Sequence, residues 1–395
     1  MRRHLLVALA LGLSLVSVEG RAATWVPDHI VIVIEENRSA SQIFGNPDMP
    51  YLNSLAQNGA KMTNAHFAQT PYGIIPAGWK RALPSRPSQP NYLYLFAGDN
   101  QGIVPEWFQD PSSPYKGTAD MKRDGSKLAQ PIHNTAVGIN DLMIPQNMRP
   151  FTTPNMGSTL LRSGHSFALF SESLTDPHFD DAKDALAADN YRRKHNPVVN
   201  WINLPGRRLD AAQSKYLLPV STNLGFNNTV DTVDHRKYRG FAKDADGKPL
   251  DYAQLPTVSI VVPNEQDDGH SNSDGAADAW LQKNIKPYAD WAMTHNSLLI
   301  VTYDEDGSTD ESMGEPRETS IDRIATVFYG AGVKKGQYSE RIDHLNVLST
   351  ILDRYGLLGQ FRREFKEAYK SKVARHEYDN LRPITDIFGE GRPLR

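Results

Sequence analysis

Two short acidic runs stand far apart in the chain, "EEN" at residues 35–37 and "YDEDG" at 303–307, and each closes an apolar run. Glu36, Asn37, Asp304 and Glu305 would supply hard oxygen donors, which suit a divalent cation. Taken singly, either run also fits a solvated turn, because carboxylates are common on surfaces. "DEDGSTDE" looks like a calcium loop, but Gly307 is the fourth residue counted from Asp304, not the sixth that an EF-hand requires. A cation held by carboxylates serves phosphoryl chemistry by neutralising charge and easing formation of an alkoxide. Such chemistry needs a nucleophile, and "PSRPSQPN" at 84–91 offers Ser85 and Ser88. Pro87 and Pro90 flank Ser88 and fix the backbone ahead of a segment that reads as helix from about Asn91. A serine there meets the amide groups and dipole that favour a phosphate, and it equally suits a plain helix cap.

Two further stretches carry chemistry. "YRRKHNP" at 191–197 sets two arginines, Lys194, His195 and Asn196 side by side. That set can bind a phosphate oxygen or protonate a leaving group, or it is the basic end of a surface helix. "PNEQDDGHSN" at 263–272 puts Asn264, Asp268 and His270 directly after an apolar run. It reads as a second metal or proton-transfer group, or as a simple turn. His344, ahead of a helical pattern from Leu345, reads as a cap or a ligand.

The elements that would position these residues alternate in type. "HIVIVIEEN" (29–37), "SFALFSES" (166–173), "TVSIVVPN" (257–264), "NSLLIVTYDED" (296–306) and "IATVFYGAGV" (324–333) are continuous apolar runs of strand length, the pattern of strands buried on both faces. The spacing predicts helices over 49–60, 274–293 and 344–356. Strand and helix in alternation predict an α/β fold, a mostly parallel central sheet covered by helices on both faces. In such sheets the ligand lies beyond the carboxyl ends of the strands. Glu35, Glu36 and Asn37, then Glu172, Asn264, and Asp304 with Glu305 all stand at such ends, which predicts one shared polar site. The stretches 103–165 and 205–255 read as loop insertions forming a cap, with Trp107, Phe108 and Phe151 as lipid contacts or cap core.

Composition narrows the function classes. A chain of 395 residues with 39% hydrophobic and 23% charged content supports a large core, and residues 24–395 read as a single catalytic domain. The first 23 residues carry Arg2 and Arg3, an apolar stretch from Leu5 to Val16, then Ala22 and Ala23. This predicts a secretory signal peptide and a periplasmic or secreted product, the apolar stretch being short for a membrane span. No later run is long enough to cross a membrane. The formal charge of −3 becomes more negative when Arg2, Arg3 and Arg21 leave with Glu19, so no nucleic-acid binding is expected. Without cysteine there are no disulfides, thiol nucleophiles or thiolate metal sites.

Together the pieces resemble the phosphoesterase family of bacterial acid phosphatases and phospholipases C, of the alkaline phosphatase-like superfamily. "HIVIVIEENRSASQIFGN" resembles its opening strand and Glu-Asn-(Arg/Lys)-Ser signature, and "PSRPSQPNYLYLFAG" its Pro-Ser-x-Pro-Asn-Tyr segment. "FSES", "YRRKHNPVVNW", "VPNEQDDGH", "TYDED" and "HLNVLSTILDRYGL" follow in the family's order, spanning about residues 29–357. The resemblance implies that Ser88, two residues before Pro90-Asn91, is the nucleophile, and that Asn91 contacts the phosphoryl oxygen. It implies one divalent cation on Glu36, Asn37, Asp304 and Glu305, with a second cation open. His195, Asn196, Asp268 and His270 match positions near the substrate or that second cation, and His195 or His270 would protonate the leaving alcohol. The chain departs from its relatives at Asp322-Arg323, where they often carry a histidine; Arg323 would bind phosphate there but not a metal. The implied activity is that of an exported, metal-dependent phosphomonoesterase of the acid phosphatase type, acting through a phosphoserine on a small-molecule phosphate ester or phospholipid. A phospholipase C-type phosphodiesterase and a non-catalytic phosphate- or metal-binding protein are the alternatives.

Overall fold

The computed structural model describes residues 25–67, 88–101, 149–177, 191–203, 206, 208–229, 237–307, 323–369 and 375–389. The N-terminal stretch expected to be a signal peptide, and Ser85, Trp107, Phe108 and Asp322, lie outside the described residues.

The apolar runs form the strands expected of them. β1 (His29–Glu35), β3 (Phe167–Ser171), β7 (Val258–Val262), β8 (Ser297–Tyr303) and β9 (Thr326–Gly330) bury nearly every side chain. Three short strands were not foreseen in the main sheet: β2 (Ala60–Met62), β4 (Asn223–Gly225) and β10 (Gly336–Tyr338). β5 (Tyr238–Gly240) and β6 (Lys243–Asp244) make a separate antiparallel pair. The main sheet has eight strands in the order β10-β2-β9-β8-β1-β7-β3-β4. The run from β8 through β1, β7 and β3 to β4 is parallel throughout, and β9 is antiparallel to both β8 and β2. β1 lies at the centre, and Ile30 to Ile34 are essentially inaccessible to solvent. Each such side chain stabilises the fold by roughly 1.5–3 kcal/mol through burial.

Helices cover both faces. On one, Ser88–Ala97 packs with Met156–Arg162 and His344–Arg354, and the last is backed by Leu358–Ala368. On the other lie Pro50–Asn58, Asp274–Asn284 and Lys286–Ala292. The single helix expected over 274–293 is two, with Ile285 between them and a proline in the first turn of the second. Pro287 has no amide hydrogen to give the Lys283 carbonyl, so the hydrogen-bond ladder breaks there. The helix that carries Ser88 spans Ser88–Ala97 among the described residues, so it includes residues ahead of Asn91, and all ten are buried. Pro90 is tolerated because the first turn of a helix leaves its amides unbonded in any case.

The stretch 205–255 does more than form loops, since its residues Asn223–Gly225 complete the edge of the main sheet beside β3. Such a strand is too short for periodicity to reveal. Phe151 belongs to the core, edge-on to Trp201 at 5.0 Å between ring centroids. It makes no exposed lipid contact.

Candidate active site

The carboxyl ends of β1 and β8 lie side by side, with Glu35 in register with Tyr303. The chain beyond each strand turns sharply. Asn37 has a left-handed backbone at φ 50°, a conformation that asparagine tolerates better than most residues. Its amide donates to Asp304 Oδ1 at 3.0 Å, and the Glu305 amide donates to the same oxygen at 2.6 Å. The turn after β8 packs so closely on the turn after β1 that a Cβ on Gly307 would fall 2.4 Å from the Asn37 carbonyl oxygen. Gly307 is thus a close-packing residue, not part of a calcium loop. Arg38 holds the same turn from outside, its Nε donating to Asp274 Oδ1 at 2.6 Å.

Ser88 meets these carboxylates from the helix above. Its Oγ donates to Glu36 Oε1 at 2.5 Å and lies 3.4 Å from Glu305 Oε1. Ser88, Glu36, Asp304 and Glu305 are all buried, at 3% exposure or less. The other oxygen of Glu36 faces His195 Nε2 at 3.3 Å, and His195 Nδ1 faces Asp268 Oδ2 at 3.8 Å. Glu36 therefore joins two groups, Glu36 with Asp304 and Glu305, and Glu36 with His195 and Asp268. In each, one donor atom per residue lies within 4.8 Å of the others.

Both groups fit a cation by the state of their oxygens. Glu36 Oε2, Asp304 Oδ2, Asp268 Oδ2 and the amide oxygen Asn37 Oδ1 are buried without a hydrogen-bond partner, a costly condition for a polar atom and most of all for a carboxylate unless a positive charge is supplied. Burial, with Glu36 close by, pushes the Asp304 and Asp268 carboxyls well above the usual range. Burial also drives His195 well below its ordinary value, helped by Lys194. A neutral imidazole is the form that ligates a metal.

The remaining candidates are placed less uniformly. Asn91 is fully buried on the same helix as Ser88, three residues on. Asn196 is equally buried, but its amide nitrogen is committed to Asn223 Oδ1 at 2.7 Å and to the Tyr191 hydroxyl at 3.2 Å. It ties the 191–197 segment to the sheet edge. His270 is exposed, its amide donating to Asp268 Oδ1 at 2.8 Å. Arg323 is exposed as well, just ahead of β9 and therefore at the same end of the sheet as the carboxylates. His344 is no cap, since the cap is Asp343, whose side chain accepts from the Leu345 amide. Burial pushes His344 down to about 3.

The acidic strand ends do not form one site, contrary to the sequence expectation. Glu35 and Glu36 leave the chain on opposite sides, as successive residues of a strand do. Glu35 has Glu172, Asp267 and Asp278 as its charged neighbours, towards the helix Asp274–Asn284. Tyr92, stacked on His195, is the tyrosine of the Pro-Asn-Tyr segment, to which the sequence reading gave no role. His66, bridged through its backbone to Arg323, was not foreseen, since a lone histidine after a three-residue strand carries no sequence signal.

The model of the Phosphoesterase family matches residues 48–358. The chain belongs to the phosphoesterase family. This phosphoesterase is a hydrolase acting on phosphoric ester bonds. It is 35% identical over 373 residues to the phosphatidylinositol-3-phosphatase of Mycobacterium tuberculosis, covering 94% of the present chain and 87% of that protein. Among solved structures, a protein of the alkaline phosphatase superfamily from Vibrio parahaemolyticus shares 10% identity at a TM-score of 0.41, over 85% of this chain and 68% of that one. A lipoteichoic acid synthase from Listeria monocytogenes shares 11% identity at a TM-score of 0.42, over 85% and 76%. The family match begins after Glu36 and Asn37, so their place in the site rests on the geometry above.

Proposed function

We propose that the phosphoesterase is an exported, metal-dependent phosphomonoesterase that works through a phosphoserine at Ser88. The observation that carries this reading is the contact of Ser88 Oγ with Glu36 and Glu305, two carboxylates that are also candidate cation ligands. A divalent cation held by Glu36, Asn37, Asp304 and Glu305 would neutralise charge on the phosphoryl oxygens and lower the pKa of the serine. Glu36 Oε1, already accepting the Ser88 hydroxyl hydrogen, is placed to receive that proton as Oγ attacks phosphorus in line. The new Oγ–P bond forms as the bond from phosphorus to the ester oxygen breaks, and the departing alkoxide takes a proton. His270 suits that donor role, being open to solvent two residues from Asp268, whereas buried His195 is held neutral. Water then cleaves the Oγ–P bond, returning Ser88 and releasing phosphate.

The relative named as a phosphatidylinositol-3-phosphatase supports a monoester, and among monoesters a phosphorylated inositol lipid or a soluble ester of similar headgroup. The N-terminal charge, apolar stretch and small residues support export. No helix among the described residues is long and apolar enough to cross a membrane. The test is to reconstitute the purified protein with magnesium, calcium, manganese or zinc. Each form is then assayed side by side on a phosphomonoester, a phosphodiester and phosphatidylcholine. The monoester should be hydrolysed fastest, and only with cation present. Preferential cleavage of phosphatidylcholine on the glycerol side would replace this reading with a phospholipase C, and full activity in chelator would remove the cation.

A further inference from the structure

Tyr92 follows Ser88 by four residues, so the two side chains leave the helix on one face, a turn apart. Its ring lies almost parallel to that of His195, with centroids 5.0 Å apart and planes at 11°. Both are buried, at 1% and 2% exposure. The short helical turn Arg193–His195 packs on the Ser88–Ala97 helix, which brings the imidazole to this face. The edge contacts of His195 are loose: Nε2 is 3.3 Å from Glu36 without hydrogen-bond geometry, and Nδ1 is 3.8 Å from Asp268. A metal-ligating or proton-handling imidazole normally has its plane fixed by a tight hydrogen bond at one nitrogen. Here a flat ring against its face takes that place. The Tyr92 hydroxyl is buried without a hydrogen-bond partner, so no polar anchor explains the tyrosine.

We propose that Tyr92 is a positioning residue whose ring face fixes the plane of His195, aiming its nitrogens at Glu36 and Asp268. One helix then carries the nucleophile and, a turn later, the support of the histidine that faces it. The proposal rests on the reading that His195 acts in the site, and the experiment separates the two. Steady-state kinetics on a phosphomonoester are measured for wild type, Tyr92→Leu, Tyr92→Phe, His195→Ala and the double variant Tyr92→Leu with His195→Ala, each checked for folding by circular dichroism. Tyr92→Leu should lower kcat by about tenfold or more with little change in KM, in keeping with the cost of a misplaced group. Tyr92→Phe, which keeps the ring, should restore most of that loss. In the His195→Ala background, Tyr92→Leu should change kcat by less than about twofold, because the group it positions is gone. Equal losses from Tyr92→Leu in both backgrounds would overturn the proposal, as would Tyr92→Phe failing as badly as Tyr92→Leu. Wild-type activity in His195→Ala would overturn it together with the role of His195, while cation-dependent turnover in the wild type left the wider reading standing. If Tyr92→Leu does not fold, Tyr92→Phe gives the decision through the ring-current shift of the His195 protons by NMR, which must persist with the activity.

Discussion

Two groups of buried carboxylates flank the end of β1; both hold oxygens without a hydrogen-bond partner, those of Glu35 included, and they differ in what gathers around those oxygens. On the side of the Ser88–Ala97 helix, Glu36, Asp304 and Asp268 each turn an oxygen without a hydrogen-bond partner towards a common space, with Ser88 and His195 beside them. On the side of the Asp274–Asn284 helix, Glu172 takes hydrogen bonds from Asn227 Nδ2 and from the Asn264 amide, both at 3.2 Å, and shares another with Asp267. No three acidic or histidine groups on that side bring donor atoms within 4.8 Å among the described residues. Burial raises Glu35 well above the usual carboxylate range, reinforced by Glu172, which favours its neutral form. Buried acidic residues at strand ends therefore do not by themselves make a catalytic centre. What distinguishes one face of the sheet is that donor atoms of Glu36, Asp304, Glu305, His195 and Asp268 converge beside a serine hydroxyl, and the proposed catalytic centre rests on that convergence.

The largest expected effect that tests this contrast is on adjacent residues. Under the proposed mechanism Glu36→Gln would remove both a cation ligand and the acceptor of the Ser88 proton, and should lower kcat by about a thousandfold or more. Glu35→Gln should leave turnover within about threefold and stability at neutral pH unchanged or higher, since burial already disfavours the charge that the amide removes. Similar losses in both variants, measured by initial rates and thermal melts, would erase the distinction between the faces.

A smaller effect is expected for Asp304→Asn, which should weaken cation affinity by about ten- to a hundredfold while the fold persists. Calorimetric titration of the metal-free protein would check it, and unchanged affinity would remove Asp304 from the ligand set.

The third expectation concerns pH. Asp304 and Asp268 have folded pKa values raised above 3.8, so the unfolded chain gives up these protons first as pH rises. Their contribution to stability is present below that value and is lost as pH climbs through the raised range. A bound cation opposes the loss by favouring the charged carboxylates. The gain in Tm on adding cation should accordingly grow with pH from the acid range to neutrality. A gain that stays constant would contradict the convergence of charge described here.

How much of this was legible in the sequence follows from the length of each signal. β1, β3, β7, β8 and β9 are apolar runs of at least five residues buried on both faces, and the doubly covered sheet followed from them. β2, β4 and β10 are three residues each and owe their place to the strands they pair with, which no local pattern records. Ser88, Glu36, Asp304, His195 and Asp268 were all named from residue type and family resemblance, and the structure brings them together. The division of Glu35 from Glu36 was available in principle from strand alternation, but the helices that give each face its meaning had first to be placed. Tyr92 was legible as the last residue of the Pro-Asn-Tyr segment but its partner was not, because the ring it stacks on lies 103 positions away in the chain.

The central claim is that the Ser88 side of β1 carries a serine nucleophile over a cation-binding group. Ser88→Ala, assayed for phosphomonoester turnover and in parallel for bound cation by elemental analysis, tests it most directly. The account predicts loss of turnover with the fold and the bound cation retained, because Glu36, Asn37, Asp304 and Glu305 remain in place. Turnover close to that of the wild type, in protein freed of host phosphatase, would contradict it.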